Sequence, residues 1–309
     1  MRLLGRVGQY VLVVWLAFTL SFFLLYVLPS DAASLMVDPT QVGDNTETVE
    51  RLREFYGLDH SVWHQYADKL VGMLHGDFGV SYRTGQDAWS MISAVLPNTT
   101  LLAGLALVLA VLLALGVALL SVQTAFPRLG GLASAIPSVA VSVPVFLVGL
   151  LLIHLFAMRL GWFPVIGGDG PSSLVLPAIT LAVPVAAPIA QLLVRNLSRE
   201  LAAPYVTVLR AQGASTMWIL RRNALKNACL PALTIAGLTF GQLLAGTVIV
   251  ETVFSRTGLG RLTETAVRNQ DIALIQAIVV LGAVVFSLVN LAVDVVYPIL
   301  DPRVKVGHA

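Results

Sequence analysis

Six stretches of this chain are apolar for long enough to cross a lipid bilayer, and that constrains the fold before any motif is considered. A hydrocarbon core about 30 Å thick needs roughly 20 residues of helix. Residues 7–28, 99–122, 133–158, 174–194, 228–250 and 272–293 each supply such a stretch. In lipid the backbone must satisfy its own N–H and C=O groups, which leaves the helix as the spanning form for runs of this length. Charged residues make up only 12 % of the chain, against about 25 % in soluble domains. The expectation is an all-α integral membrane protein with six transmembrane helices. Pro137 and Pro144 fall in the third stretch and Pro177, Pro184 and Pro188 in the fourth, so bent helices are expected there. The first stretch follows Arg2 and Arg6 and precedes Asp31-Ala32-Ala33, as a cleaved leader would. Its length exceeds the 7–15 apolar residues usual for one, and it reads as a span.

Cationic residues set the expected orientation. With a cytoplasmic N-terminus, the inner segments hold Arg2, Arg6, Arg128, Arg195, Arg199, Arg210, Arg221, Arg222, Lys226, Arg303 and Lys305. The outer ones hold Arg51, Arg53, Lys69, Arg83, Arg159, Arg256, Arg261 and Arg268 over a greater length. Both termini are therefore expected in the cytoplasm. The first outer loop, about 29–98, is acidic and patterned. Val49, Leu52 and Phe55, then Val62, Tyr66, Leu70 and Leu74, recur at helical spacing, which predicts two short amphipathic helices on the outer surface or capping the bundle. Trp162 and Phe163 suit an interfacial aromatic belt, ahead of the turn-rich GGDGPSS at 167–173. The chain divides into 1–93, a span with its outer loop, and 94–309, a five-span core with a cytoplasmic loop at about 201–231.

The catalytic motifs that would make such a chain self-sufficient are absent. It has no G-x-x-x-x-G-K-[ST] loop, no G-x-S-x-G and no H-E-x-x-H. Cys229 is the one cysteine, which excludes an internal disulfide and reads as a small apolar residue at a span entrance. His60 and His64, beside Asp59 and Asp68, make either a metal-binding face or, more simply, a solvated one. His154 lies inside the third stretch, where a titratable group is a pathway candidate and a structural hydrogen bond is the plainer reading. Asp294 and Asn290 sit close enough to the inner end of the sixth stretch to reach headgroups. A secondary transporter would want several charges at mid-membrane, and an intramembrane protease a serine paired with His154. Neither pattern is present.

Residues 209–231, LRAQGASTMWILRRNALKNACLP, carry four cations and no acid between two apolar runs. A helix over 201–212 can continue out of the fourth span, and Gly213 permits a left-handed turn. Ser215 or Thr216 can cap a second helix through Trp218 toward Asn227, and Pro231 suits the first turn of the next span. Met217, Trp218 and Leu220 would then be offered to a partner protein. A plain positive-inside loop explains the cations equally well.

The same stretch resembles the cytoplasmic loop of binding-protein-dependent ABC importers, and is most similar to the dipeptide/oligopeptide permease family, whose members read roughly Y-V-x-x-A-R-A-K-G…N-A-L-L-P. Tyr205-Val206, Arg210-Ala211, Gly213, Asn227-Ala228 and Leu230-Pro231 match; Leu209 and Gln212 replace the usual alanine and lysine, and Thr207 stands where the broader superfamily has an acid. Other blocks follow in order: Leu28-Pro29-Ser30-Asp31, Gly57-Leu58-Asp59, Gly76-Asp77-Phe78-Gly79-Val80-Ser81-Tyr82, Arg159-Leu160-Gly161-Trp162-Phe163-Pro164, Leu176-Pro177-Ala178, Glu251-Thr252-Val253-Phe254, Gly258-Leu259-Gly260-Arg261-Leu262 with Thr257 where proline is usual, and Asp294…Tyr297…Leu300-Asp301-Pro302-Arg303.

The resemblance implies a permease like those of type I ABC importers, with no cofactor of its own. Its expected partners are a second homologous permease chain, two ATPase subunits that use ATP and magnesium, an extracytoplasmic substrate-binding protein and the bilayer. It also implies that Arg210, Ala211, Gly213, Ala214, Ser215, Met217, Trp218, Leu220, Asn227 and Pro231 form the loop that couples to an ATPase. Glu251, Arg256, Gly258, Gly260 and Arg261 lie on the loop expected to face the binding protein or substrate, or simply solvent. Di- or oligopeptides are the expected cargo; nickel, glutathione and sugars are cargoes of similar family members.

Overall fold

The computed structural model describes residues 2–28, 49–51, 53, 59–122, 127–164 and 170–300, and these are almost entirely helical. In order they form α1 (Arg2–Phe22, extended by a π-turn at Phe23–Val27), α2 (Val62–Leu74), α3 (Ala88–Ser121), α4 (Pro127–Ser142) and α5 (Val145–Leu152, with a π-turn at Ile153–Arg159). There follow α6 (Ser172–Leu201), α7 (Pro204–Ala211), α8 (Thr216–Ile219, with a π-turn at Leu220–Ala224), α9 (Leu225–Leu238), α10 (Phe240–Val253), α11 (Leu259–Arg268) and α12 (Ile272–Leu300). The chain packs as two units, one of Met1–Thr99 with Thr257–Leu291 and the other of Thr100–Arg256 with Ala292–Ala309.

The protein is an all-α, multi-pass membrane protein. Among the described residues, four helices are long and apolar enough to cross a bilayer, and a fifth crossing exists if the bent pair α4–α5 is one span. That pair turns by 108° between Gly130–Ser142 and Val145–Arg159. Pro144 explains the turn, because it lacks an N–H and pushes the residue before it out of the helical region. The expected fifth stretch is divided at Thr239 into α9 and α10, each of 14 residues and so about 21 Å long. Gly237 and Gly241 flank the division, and the Thr239 hydroxyl donates to the Ala236 carbonyl at 2.9 Å, competing with the helix ladder. By contrast, α6 stays one helix of 30 residues despite three prolines.

In the first unit, the helix expected around Val62 is present as α2, but its aromatic face lies against α1. The Tyr66 ring is 5.5 Å from Phe18 and 5.3 Å from Phe22, and its hydroxyl shares a 2.9 Å hydrogen bond with Thr19 Oγ1. Leu74, expected on the apolar face, is 74 % exposed. Of the helix expected at 49–55, residues 49–51 and 53 are described and helical; Leu52 and Phe55 lie outside the described residues, as do Pro29-Ser30-Asp31, Gly57-Leu58 and Asp301-Pro302-Arg303. The Lys69 amine lies 5.8 Å from the Tyr26 ring centroid. Burial pushes its pKa below the usual lysine value, while Asp77 and Asp68 oppose the shift. The block Gly76–Tyr82 turns on left-handed Gly76 and Gly79 (φ +85° and +83°). It delivers the buried Ser81 hydroxyl to the Asp271 carboxylate. Within α3, Thr99 Oγ1 accepts the Leu259 N–H at 2.7 Å, joining α3 to α11.

The second unit is organised around α6, which packs on α4, α5, α9 and α10. Along α3, Leu102, Ala106, Ala110, Ala114 and Ala118 are spaced by four and completely buried. A stripe of small residues lets helices approach closely where hydrophobicity alone gives no drive, as in lipid. Gly149 on α5 works the same way: a β-carbon there would stand 3.3 Å from Phe254 Cε2 and 3.3 Å from Thr180 Cγ2.

Candidate functional site

The segment between α6 and α10 is built by its prolines and glycine. Helix α6 does not run on to Gln212, as the sequence suggested; it stops at Leu201, and Ala203 is extended (ψ 146°). Pro204 causes the stop by disfavouring a helical Ala203, then opens α7 from its first position. Helix α7 ends in a Schellman motif. The Ala214 N–H bonds the Leu209 carbonyl and the Gly213 N–H the Arg210 carbonyl, both at 3.0 Å, with Gly213 at φ +87°. This is the left-handed turn that the glycine predicts. Ser215 then caps α8, accepting the Trp218 N–H at 3.3 Å.

From Thr216 the helix continues through a π-turn at Leu220–Ala224 into α9. Pro231 therefore lies inside α9, not in the first turn of a span. One sequence expectation fails here, because Leu220 falls on the side of the helix away from Trp218. Met217 and Trp218 are exposed (49 % and 47 %), but Leu220 is 7 % exposed and belongs to the core. Arg210, Ala211, Gly213 and Ser215 are exposed and Ala214 half-buried.

The two ends of this segment meet. The Tyr205 hydroxyl donates to Glu200 Oε2 at 2.8 Å, and Asn227 Nδ2 donates to the same oxygen at 3.0 Å. Burial, and then the hydrogen bond and charge of Glu200, hold the Tyr205 phenol above its usual pKa; the Asn227 side chain opposes this. Sequence reading singled out Tyr205 and Asn227 but missed Glu200, which stands outside the motif and looks like an ordinary charge at a span end.

The expected outer loop is different from its sequence reading. Glu251 is 1 % exposed and sits in the last turn of α10 rather than on a solvated loop. Arg256 donates from Nη1 to Ser173 Oγ at 2.9 Å and to the Ser173 carbonyl at 3.3 Å. Pro177 leaves that carbonyl without its helical donor, so Arg256 supplies the missing partner. Gly258 and Gly260 are buried. The backbone at Gly258 is extended (φ −170°), a conformation open to any residue. Arg261 is exposed on α11. His154 lies in the π-turn after α5 and is exposed.

Among the described residues, no group of histidines, cysteines and acids is placed to hold a metal ion; His64 instead pairs with Asp68 at 3.2 Å. A cavity of about 140 Å³ between α3, α4 and α6 is lined by Ile136, Pro137, Ala140, Val183 and Ala186 among others. It is apolar and offers little to a polar solute.

The chain is thus a multi-pass membrane protein with a short capped helix that exposes Met217 and Trp218 between two apolar segments. The sequence places it more closely. Residues 110–306 match the family described as "Binding-protein-dependent transport system inner membrane component", and residues 1–103 match its N-terminal companion. The chain belongs to this family. It is 32 % identical over 304 residues to the glutathione transport system permease protein GsiC of Escherichia coli K12, covering 98 % of this chain and 97 % of that protein. The GsiC protein of Shigella flexneri serotype 5b matches to the same extent. In fold, the chain resembles an inward-facing structure of the MetNI methionine ABC transporter, with a TM-score of 0.58 at 20 % identity over 68 % of this chain and 96 % of that one. A second crystal form of MetNI gives 0.57 at 21 % identity, over 69 % and 97 %.

The protein is accordingly the permease component of an ABC import system, a translocation subunit and not the ATPase. It resides in the inner membrane and works with a paired permease chain, ATPase subunits and a substrate-binding protein.

Proposed function

We propose that this chain carries a glutathione-type solute, a small polar peptide or close analogue, across the cytoplasmic membrane by alternating access. The observation that carries the cargo reading is the end-to-end similarity to the glutathione permeases. It favours glutathione over the di- and oligopeptides that the motifs alone suggested. The apolar character of the cavity between α3, α4 and α6 supports a division of labour in which the binding protein selects the solute.

In this reading the bundle has six crossings: α1, α3, the α4–α5 pair, α6, the α8–α10 run and α12, with both termini in the cytoplasm. The positive-inside distribution supports that orientation. Helix α8 is the coupling helix, docking Met217 and Trp218 into an ATPase subunit. What supports this is a helix fixed by a Schellman turn before it and a serine cap at its start, with two large apolar side chains exposed at its tip. ATP-driven closure of the ATPase pair then turns the permease outward by rigid-body movement.

The test is uptake of radiolabelled glutathione and of a labelled dipeptide by proteoliposomes holding the complete importer and its binding protein. ATP-dependent glutathione uptake that unlabelled dipeptide does not compete supports the reading. Dipeptide uptake without glutathione uptake overturns the cargo.

A further inference from the structure

Helices α7 and α8 lie between α6 and α9 in the chain. Their position relative to the spans depends on what joins them to α6 and α9. The chain breaks at Ala202–Ala203 and turns again at Gln212–Ala214, so two breaks in the helix separate α8 from α6. One side chain closes across both. The Oε2 atom of Glu200, in the last turn of α6, accepts from Tyr205 on α7 and from Asn227 on α9. Hydrogen bonds to a carboxylate are shorter and about twice as strong as neutral ones. Both donors on one oxygen make a three-way junction of α6, α7 and α9. Asn196 and Asn223 stand one helical turn before Glu200 and Asn227, so the facing sides of these helices are polar here. Their buried amide atoms Asn196 Nδ2 and Asn223 Oδ1 lack a protein partner among the described residues.

We propose that Glu200 is the positioning residue for coupling: its carboxylate clasps the two ends of the α7–α8 segment to α6, so that movement of an ATPase is passed to the spans as rigid-body motion. The inference rests on the coupling reading of α8. The clasp transmits force only if Oε2 holds both donors at once; with one joint released, α8 follows the ATPase while α6 does not.

The experiment uses the complete importer in proteoliposomes, with the permease carrying Ala214→Cys in a Cys229→Ser background. Two quantities are read: the ATP-dependent change in cross-linking from position 214 to an ATPase subunit, and glutathione imported per ATP hydrolysed. Glu200→Ala is expected to keep ATPase activity within about twofold while lowering import per ATP roughly tenfold. Glu200→Gln, whose amide oxygen can still accept from both Tyr205 and Asn227 but carries no charge, is expected to recover about half of the loss. Should Glu200→Ala fail to reach the membrane, Tyr205→Phe combined with Asn227→Ala removes both donors and keeps the acid; it is expected to uncouple to the same degree.

A parent that cross-links to the ATPase while Glu200→Ala, or the double donor variant, imports normally per ATP overturns the clasp alone. A parent with no cross-link at position 214 overturns the coupling reading of α8, and the clasp with it. Uncoupling by the alanine variant with recovery by glutamine is the result that supports the assignment, because a merely structural residue lowers abundance without changing the ratio.

Discussion

Ser81 and Asp271 lie 190 residues apart in the sequence and share a buried hydrogen bond, with the serine hydroxyl donating to Asp271 Oδ2. The other carboxylate oxygen, Oδ1, accepts the Leu274 N–H at 3.2 Å and so caps α12. One acid therefore fixes the G-D-x-G-x-S block and the start of the last helix together. Asp271→Ala removes a cap and leaves the buried Ser81 hydroxyl proton without its acceptor, and is expected to cost about 2 kcal/mol. Asp271→Asn, which keeps an acceptor for Leu274, should cost less. Thermal unfolding of the purified complex in detergent measures both, and identical midpoints for wild type and Asp271→Ala refute the assignment.

Gly213 occupies φ +87° with no atom near the place of a β-carbon. The cost of any side chain is thus conformational, about 1–2 kcal/mol, and falls on the α7–α8 turn. Gly213→Arg or Gly213→Asp should leave the chain in the membrane and abolish uptake. Gly213→Ala should be milder. Wild-type uptake by either charged variant would remove this turn from the mechanism.

At Gly130 the constraint is packing. A β-carbon there would stand 2.9 Å from the Ser121 carbonyl oxygen at the end of α3, and backbone does not yield as a side-chain tip does. Gly130→Ala is expected to destabilise the protein by about 1–3 kcal/mol, read as a lowered midpoint of thermal unfolding. The nearby Gly131 has nothing within reach, so Gly131→Ala is the control expected to be near neutral.

Tyr205 gives a pH signature. Its pKa is raised in the fold, so the folded state keeps the phenolic proton where the unfolded chain has begun to lose it near pH 10. The contribution is fully present below that pH and is lost as pH rises through the raised value. Tyr205→Phe should flatten this alkaline loss of stability. An absorbance titration showing a phenolate forming at the ordinary pH would contradict the bond to Glu200.

Arg256 answers the carbonyl that Pro177 exposes. Replacing it with alanine strands that carbonyl and is expected to cost about 1–3 kcal/mol, with Pro177→Ala in the same chain restoring most of it. Independent, additive effects of the two changes would show that the residues are not coupled.

What could be read from the sequence was whatever depends on local chemistry. Four of the six expected spans followed from apolar length, the turn at Gly213 from the one residue tolerant of positive φ, and the α8 start from a serine able to cap it. The bend at Pro144 followed for the same reason. Family membership was legible too, since its motifs sit at the chain's own turns: Gly76 and Gly79 in one block, Gly213 in another. Leu220, Pro231 and Glu251 lie where a helix boundary or an exposure is set by packing alone, and local sequence does not show it.

Tertiary structure decided the rest. A π-turn follows Ile219, and no pattern of side chains in that stretch announces it; Ile219 and Leu220 beside it are buried in the core. Whether a proline breaks a helix depends on a second element supplying a donor, as Arg256 does for the carbonyl freed by Pro177. Glu200 shows the limit most directly. In sequence it is one acid at the end of an apolar run, and its chemistry is set by two donors that the fold brings from five and twenty-seven residues away.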